Sequence, residues 1–270
     1  IAVLFALYLT ATLAGGTEGS GYSHIKAAHY SFGLYGWVAL LIISISFQVI
    51  EMFYVTPPFP KLMLKFMPVT LFVLLLLASI VGIFYPSIWL LADILLALLL
   101  GSYAVLTLKR FTQRKRPLTD ATVWFWRLGL SSLLVSMLSL LLALFTNYDA
   151  INALSYIAFT SFGLSIVFAM FYKIVPFLTW FHLNSQGYIS PPMMHQIIHP
   201  KMVMKHLYIH TATIVTFIFA IFIPQLILLA GLLTVLSFGW AGYQVVNAHL
   251  LYRKKKKSGK KFNMANITMS

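Results

Sequence analysis

The chain has 270 residues, of which 60% are hydrophobic and 9% charged, and its mean hydropathy is +0.89. This composition excludes a soluble globular protein and predicts a polytopic membrane protein. The net charge of +14 comes from 19 Lys and Arg against 5 Asp and Glu, and it indicates a basic cytoplasmic face rather than a nucleic-acid-binding surface. The lack of cysteine excludes disulfides, iron–sulfur clusters and thiolate metal sites.

Apolar runs long enough to cross a bilayer as helices recur along the whole chain. They predict an all-α, polytopic transmembrane helix bundle of about eight helices over residues 1–252, with tight turns at Pro86 and Pro224. We predict a basic, disordered cytoplasmic tail over residues 253–270, and the apolar start without Met suggests an incomplete N-terminus. The predicted spans are 1–14, 29–52, 67–85, 87–108, 122–146, 152–181, 203–223 and 225–252.

Lys and Arg collect in alternate predicted loops, whereas the intervening connections carry almost none except Lys26. Because basic loops resist translocation, these loops are predicted on the cytoplasmic side of a bacterial inner membrane, together with the C-terminus. Their basic side chains are expected to face lipid headgroups. The basic segments are Lys61 with Lys65, Lys109–Arg116, Lys201 with Lys205, and Arg253–Lys261.

Histidines are the main chemical resource of this sequence. His29 is followed at i+4 by Gly33 and at i+7 by Gly36, so the three residues share one face of an α-helix. Because glycine has no side chain, this face is open next to the imidazole. Such a face could admit a flat ring such as a porphyrin, with the imidazole as axial ligand. It could equally allow the close approach of a neighbouring helix. His24 is expected to lie in the preceding loop.

A second group of histidines is expected near the opposite membrane surface. His206 and His210 are spaced i, i+4, so both imidazoles should project from one helix face and could hold one metal ion or cofactor. His182 and His249 are expected at comparable depth, so that the four imidazoles could converge. The alternative is a solvated pair at the membrane interface.

The loop between these helices mixes soft and borderline metal ligands. It contains Pro191–His195, with Met193 and Met194, and His199–Met202. This mixture suits copper, and the alternative is an ordinary interfacial loop.

Charged residues inside apolar spans are functional candidates because their burial is costly. Lys173 and Glu51 are expected in the same half of the bilayer, where they could form a pair. The alternative is that Lys173 forms no such pair and that its long side chain extends until the ammonium reaches the lipid headgroups. Asp93 is expected near the outer end of its helix, as part of a proton path or as a partly hydrated carboxylate. Five acidic residues are too few for paired-carboxylate hydrolysis.

Several stretches resemble an uncharacterised bacterial family of membrane proteins. They are Ala28–Trp37, Gln48–Phe53, Thr56–Pro58 and Tyr172–His182, and the family is related to subunit I of the haem–copper oxidases and to NnrS-type haem- and copper-containing proteins. By analogy, the resemblance implies that this chain is the C-terminal part of a fold of about twelve helices. It also implies ligation of haem b by His29. The His-His and H-x-H patterns of the oxidases are missing, so dioxygen reduction is not expected.

We therefore expect an integral membrane protein that binds haem, copper or both, in nitric-oxide or respiratory redox metabolism. Its expected partners are the lipid bilayer and an electron-transfer partner or other membrane subunits, without nucleic acid. One alternative is a transporter or copper-delivery protein that uses the His/Met loop, with Lys173 and Glu51 as a gate. Another is a non-catalytic subunit of a membrane complex, with structural histidines.

Overall fold

The computed structural model describes residues 1–15, 21–115, 120–146, 148–258 and 261. The described residues form helices and no strand, with one isolated bridge between Tyr188 and Lys261. In chain order the helices are α1 (Ala2–Ala14), α2 (Tyr22–Ser31), a π-helical segment (Phe32–Ala39), α3 (Leu40–Tyr54), α4 (Lys61–Val81), α5 (Ile88–Thr112), α6 (Ala121–Ala143), α7 (Asp149–Ser185), α8 (Met194–Ile197), α9 (Pro200–Ala220) and α10 (Leu226–Ser258).

The predicted all-α, multi-pass architecture is confirmed. Within the described part of the chain, 7 helical segments are long and apolar enough to cross a membrane. The helix α1 is apolar but has only 13 residues, which is short for a span of about 20 residues. The membrane-length segments are Tyr22–Tyr54, Lys61–Val81, Ile88–Thr112, Ala121–Ala143, Asp149–Ser185, Pro200–Ala220 and Leu226–Lys257.

The predicted turns at Pro86 and Pro224 are confirmed, since each proline lies between two helices. Three helix boundaries differ more from the sequence-based spans: the beginning of α4, the end of α10 and the beginning of the first spanning segment. Helix α4 begins at Lys61, directly after Pro60, and continues through Pro68, because apolar surroundings make an unbroken helix favourable even with an internal proline.

Helix α10 also exceeds its predicted end at residue 252, because it continues through the basic residues to Ser258. Lys and Arg are good helix formers, and their charges favour a helix C-terminus. Residues 259, 260 and 262–270 of the predicted tail lie outside the part that the structure describes.

The first spanning segment is one continuous helix that changes its winding twice. It begins at Tyr22 rather than at the predicted residue 29, passes through the π-helical segment Phe32–Ala39 and ends at Tyr54. Val55 follows in the left-handed conformation with φ 53°, which a β-branched residue rarely adopts and which stops the helix. The π-helical turns matter for the candidate site because they change which residues share a face.

The chain divides into two compact units. Unit 1 comprises Ile1–Pro117 and Leu130–Gly163. In its core, the Phe47 ring lies 5.0 Å from the Phe59 ring, and small serines allow α6 and α7 to pack closely. The serine contacts are Ser132 Oγ to Ser161 Oγ at 2.9 Å and Ser136 Oγ to the Ser155 carbonyl at 2.9 Å.

Unit 2 comprises Leu118–Gly129 and Leu164–Ser270. Its centre is the antiparallel pair of α9 and α10, joined by the short turn that contains Pro224. The Trp240 indole donates a hydrogen bond of 3.1 Å to the Met202 carbonyl across this pair. Unit 2 contains the His206 and His210 side chains, whereas unit 1 contains His29.

Candidate functional site

His29 is half-buried in the last turn of α2, and a backbone carbonyl fixes one of its ring nitrogens. The Nδ1 atom lies 2.9 Å from the Ala2 carbonyl oxygen at the start of α1. Because a carbonyl oxygen can only accept a hydrogen bond, Nδ1 is the donor, and a neutral ring then carries its lone pair on Nε2. This is the arrangement by which proteins orient an imidazole that ligates a metal through Nε2.

The two glycines that follow His29 lie in the π-helical segment and have different surroundings. A Cβ atom added at Gly33 would meet no other atom within 4 Å, whereas one added at Gly36 would lie 3.2 Å from Leu75 Cδ1 and 3.0 Å from Phe32 Cδ1. Hydrogen bonds in a π-helix run from i to i+5, which shifts side chains away from α-helical positions. Open space is therefore present at Gly33, whereas the prediction of an open face is wrong at Gly36, where a neighbouring helix approaches.

An apolar cavity of about 560 Å³ lies beside this segment in unit 1. This volume falls in the range of small-molecule and cofactor sites, about 300–1,000 Å³. The lining includes Ala28 and Phe32, which flank His29 in sequence, and Ile1, which precedes its partner Ala2. The other lining residues are Phe5, Gly21, Ser23, His24, Ile25, Ala27, Leu76, Ser79, Ile80, Gly82, Ile83, Pro86 and Trp89.

His24 forms part of the cavity wall, so the prediction that it is a loop residue is wrong. It lies in the first turn of α2, where its Nε2 atom donates to the Ser79 carbonyl at 2.8 Å. The Trp89 indole donates to Nδ1 at 3.2 Å. A Cβ atom added at Gly82 would lie 2.5 Å from His24 Cε1 and 2.8 Å from Trp89 Nε1, so both rings are held against a position where only glycine fits.

His206 and His210 are brought together, but as members of a hydrogen-bonded network in unit 2. Both are buried, with 0% and 2% of their surface exposed, and their ring centroids lie 6.4 Å apart. The His206 Nδ1 atom lies 2.8 Å from the Tyr172 hydroxyl, and its Nε2 atom lies 2.8 Å from Ser237 Oγ. The His210 Nε2 atom lies 2.9 Å from Ser165 Oγ. With both nitrogens of His206 hydrogen-bonded, the pair is arranged as a structural network rather than as a metal chelate.

The network partners were not identified from the sequence, although a signal was present. Ser165 and Tyr172 are separated by seven positions on α7, and this spacing places two residues on one face of a helix. Polar residues that recur on one face of an otherwise apolar span indicate a buried partner. The i, i+4 histidines of α9 supply that partner.

The structure does not bring His182 and His249 to this network, because both side chains are exposed. Among the described residues, no group of three or more His, Asp or Glu side chains could hold a metal ion. The His/Met loop residues Met193, Met194 and His195 are also exposed. The predicted convergence of four imidazoles is therefore wrong for the described part of the chain.

The charged residues predicted inside the spans have other partners than expected. Lys173 Nζ lies 2.6 Å from Asp120 Oδ2 in unit 2, whereas Glu51 Oε1 accepts from the Phe59 backbone N–H at 2.8 Å in unit 1. Since the two residues belong to different units, the Lys173–Glu51 pair stays a prediction. Asp93 is half-buried in α5.

Asp120 is a structural side chain whose role the sequence analysis did not identify. It directly precedes α6, where its Oδ1 atom accepts from the Thr122 N–H at 3.0 Å and the Val123 N–H at 3.3 Å. Burial raises the pKa of its carboxyl, but the charge and hydrogen bond of Lys173 and the bonds from Thr122 and Val123 outweigh this and hold the pKa below its usual value. An aspartate before an apolar run, as here before Ala121, is a typical helix N-cap and could have been recognised.

No protein-family model, curated protein or solved structure matches this chain. Its function is therefore argued from the site itself. It offers two features: the His29 imidazole, which the Ala2 carbonyl orients, and the apolar cavity lined by His24 and Trp89.

Proposed function

We propose that this chain is a multi-pass membrane protein that binds haem b with His29 as an axial ligand. Its role would be electron transfer in respiratory or nitric-oxide metabolism, as the resemblance to haem–copper oxidase subunit I and to NnrS-type proteins implies. The observation that carries the proposal is the hydrogen bond between His29 Nδ1 and the Ala2 carbonyl. This contact leaves Nε2 as the nitrogen for an iron ion.

The surroundings of His29 fit a flat, apolar macrocycle. Gly33 leaves space next to the imidazole-bearing turn, and Ala28 and Phe32 contribute apolar surface on either side of it in sequence. Haem iron would supply one-electron redox chemistry. The residues of this chain would hold the iron, orient its ligand and exclude water from the ring.

Of the two histidines in unit 1, His29 is the one whose contacts leave a ring nitrogen for the iron. The other half-buried histidine there, His24, already uses both ring nitrogens in contacts with Ser79 and Trp89. The proposal therefore assigns a single histidine of this chain to the iron.

A copper-handling function remains as a second candidate because Met193, Met194 and His195 expose soft and borderline ligands on and beside the short helix α8. In the gate proposed for this function from Lys173 and Glu51, Lys173 also forms an ion pair with Asp120. The third candidate, a non-catalytic subunit, requires neither cofactor.

Visible spectra and metal analysis of one detergent-purified sample distinguish the three candidates. The proposal predicts a Soret band that shifts on reduction, and iron in proportion to protein. His29→Ala should abolish this spectrum, whereas His249→Ala, at an exposed position, should leave it unchanged. Stoichiometric copper without a Soret band would favour metal delivery, and the lack of both signals would favour the structural subunit.

A further inference from the structure

The cavity beside α2 has a composition that restricts what it can bind. None of its lining side chains is Asp, Glu, Lys or Arg, and most are aliphatic or aromatic. An ionic ligand would therefore enter without a countercharge, at a high desolvation cost. The cavity favours an uncharged molecule that partitions into the membrane.

Hydrogen bonds connect three of the lining residues. His24 contacts the Ser79 carbonyl and the Trp89 indole, and Trp89 follows the turn that contains Pro86. Most of the other lining side chains are apolar, among them Phe5, Ile25, Ala28, Phe32 and Leu76. A molecule with a polar head and an apolar tail would match this distribution.

The head is constrained further by the donors present. The Trp89 indole N–H is a donor only, and its bond to His24 is long, at 3.2 Å. The His24 Nε2–H donates to a backbone carbonyl, that of Ser79. A ligand carbonyl could accept from either group in place of its present partner, and the aromatic walls favour a flat ring.

We propose that this cavity binds an uncharged, membrane-soluble ring compound that carries carbonyl groups, of the quinone class, with the ring between Trp89 and Phe32 and a carbonyl accepting from His24 or Trp89. The inference stands on the cavity and does not depend on haem binding. If His29 also holds haem, the ring would bind beside residues that adjoin the iron ligand in sequence. An electron carrier bound there could exchange electrons with the haem.

Trp89 supplies a probe for the test, because quinones quench indole fluorescence on contact. The purified protein in detergent is titrated with decylubiquinone, and the same titration is repeated with Trp89→Phe. Quenching of the other tryptophans by quinone in the micelle should rise without saturation. The difference between the two titrations should show a saturable component that belongs to Trp89.

Two variants test the cavity itself. Ala28→Leu adds a larger side chain to a buried lining position and should weaken the saturable component at least tenfold. His24→Phe keeps an aromatic ring without its donor and should also weaken it. Val105→Leu, at an exposed position of α5 away from the lining, should leave the affinity unchanged, and unaltered thermal unfolding shows that each variant is folded.

A membrane lipid is the other source of an uncharged tail with carbonyl groups. The same titration with a brominated phosphatidylcholine distinguishes it, since bromine quenches tryptophan on contact. Saturable quenching by decylubiquinone that lipid does not displace supports the proposal. Saturable quenching by lipid with none by decylubiquinone overturns it, as does the lack of any saturable component.

Discussion

At the scale of single residues, Asp120 shows how one carboxylate serves two purposes. It caps the N-terminus of α6 and forms an ion pair with Lys173. The side chain is 41% exposed, so solvent screens the pair and its contribution to stability is modest. The position matters mainly because it satisfies backbone N–H groups at the beginning of α6.

The lowered pKa of Asp120 predicts a specific pH dependence. A carboxyl whose folded-state pKa is depressed stabilises the protein above its unfolded pKa of about 3.9 and loses this contribution as the pH falls through the folded value. Between pH 6 and pH 3, the melting temperature of the wild type should therefore fall more than that of Asp120→Asn. Equal slopes for the two proteins would contradict the lowered pKa.

Gly82 gives a residue-scale prediction about the cavity wall. A Cβ atom there would lie 2.6 Å from the Ala78 carbonyl as well as against His24 and Trp89. Since a backbone atom cannot move away as a flexible side chain can, Gly82→Ala should cost about 1–3 kcal/mol. Thermal unfolding in detergent measures this.

Gly101→Ala provides the matched control, because a Cβ atom added at Gly101 would meet nothing within 4 Å. Alanine favours a helix over glycine by about 1 kcal/mol, so this variant should be neutral or slightly more stable. The interpretation of the cavity wall fails if Gly82→Ala behaves in the same way.

At the scale of elements, the polar network of unit 2 connects three helices. Tyr172 on α7, His206 on α9 and Ser237 on α10 form a continuous hydrogen-bonded chain. Hydrogen bonds of this kind specify how membrane helices pack, because lipid cannot replace the lost partner. The histidine pair thus contributes to the fold of unit 2.

His206→Ala should consequently destabilise the protein more than any substitution at an exposed histidine. It removes a buried ring and leaves the Tyr172 and Ser237 hydroxyls without their partner, at a cost of about 3 kcal/mol. His249→Ala should change the free energy of unfolding by less than about 0.5 kcal/mol, as is typical of substitutions at exposed positions. Comparable effects of the two variants, measured by thermal unfolding, would show that the network is not stabilising.

The helices themselves could largely be predicted from the sequence, because hydropathy reports length and lipid contact directly. Pro86 and Pro224 indicated the two short turns correctly. The π-helical segment Phe32–Ala39 could not be predicted, since it depends on how the residues pack rather than on their order. It is also the reason why Gly36 does not share the open surroundings of Gly33.

The candidate sites were less predictable than the helices because they depend on side-chain partners from distant parts of the chain. The sequence correctly paired His206 with His210, which are neighbours on one helix. It could not show that Lys173 pairs with Asp120, 53 positions away. Nor could it show that Ala2 orients His29 or that His24 lines a cavity.

At the scale of the whole molecule, 7 membrane-length segments and a basic C-terminal helix end define a multi-pass protein within the described residues. The alternation of basic loops predicts that the C-terminus is cytoplasmic. A green fluorescent reporter fused after residue 258 should fluoresce, and alkaline phosphatase fused there should be inactive. The opposite pattern is expected for fusions in the turn at Pro224, and a reversed result would invalidate the orientation.

The most direct test of the central claim is chemical rescue of the proposed iron ligand. His29→Gly removes the imidazole that the Ala2 carbonyl orients and leaves room for a free imidazole beside the open Gly33 position. The Soret band of the purified protein should be lost in this variant and should return when millimolar imidazole is added during haem reconstitution. A Soret band that persists in His29→Gly without imidazole, or a wild-type protein that binds no haem, would contradict the account.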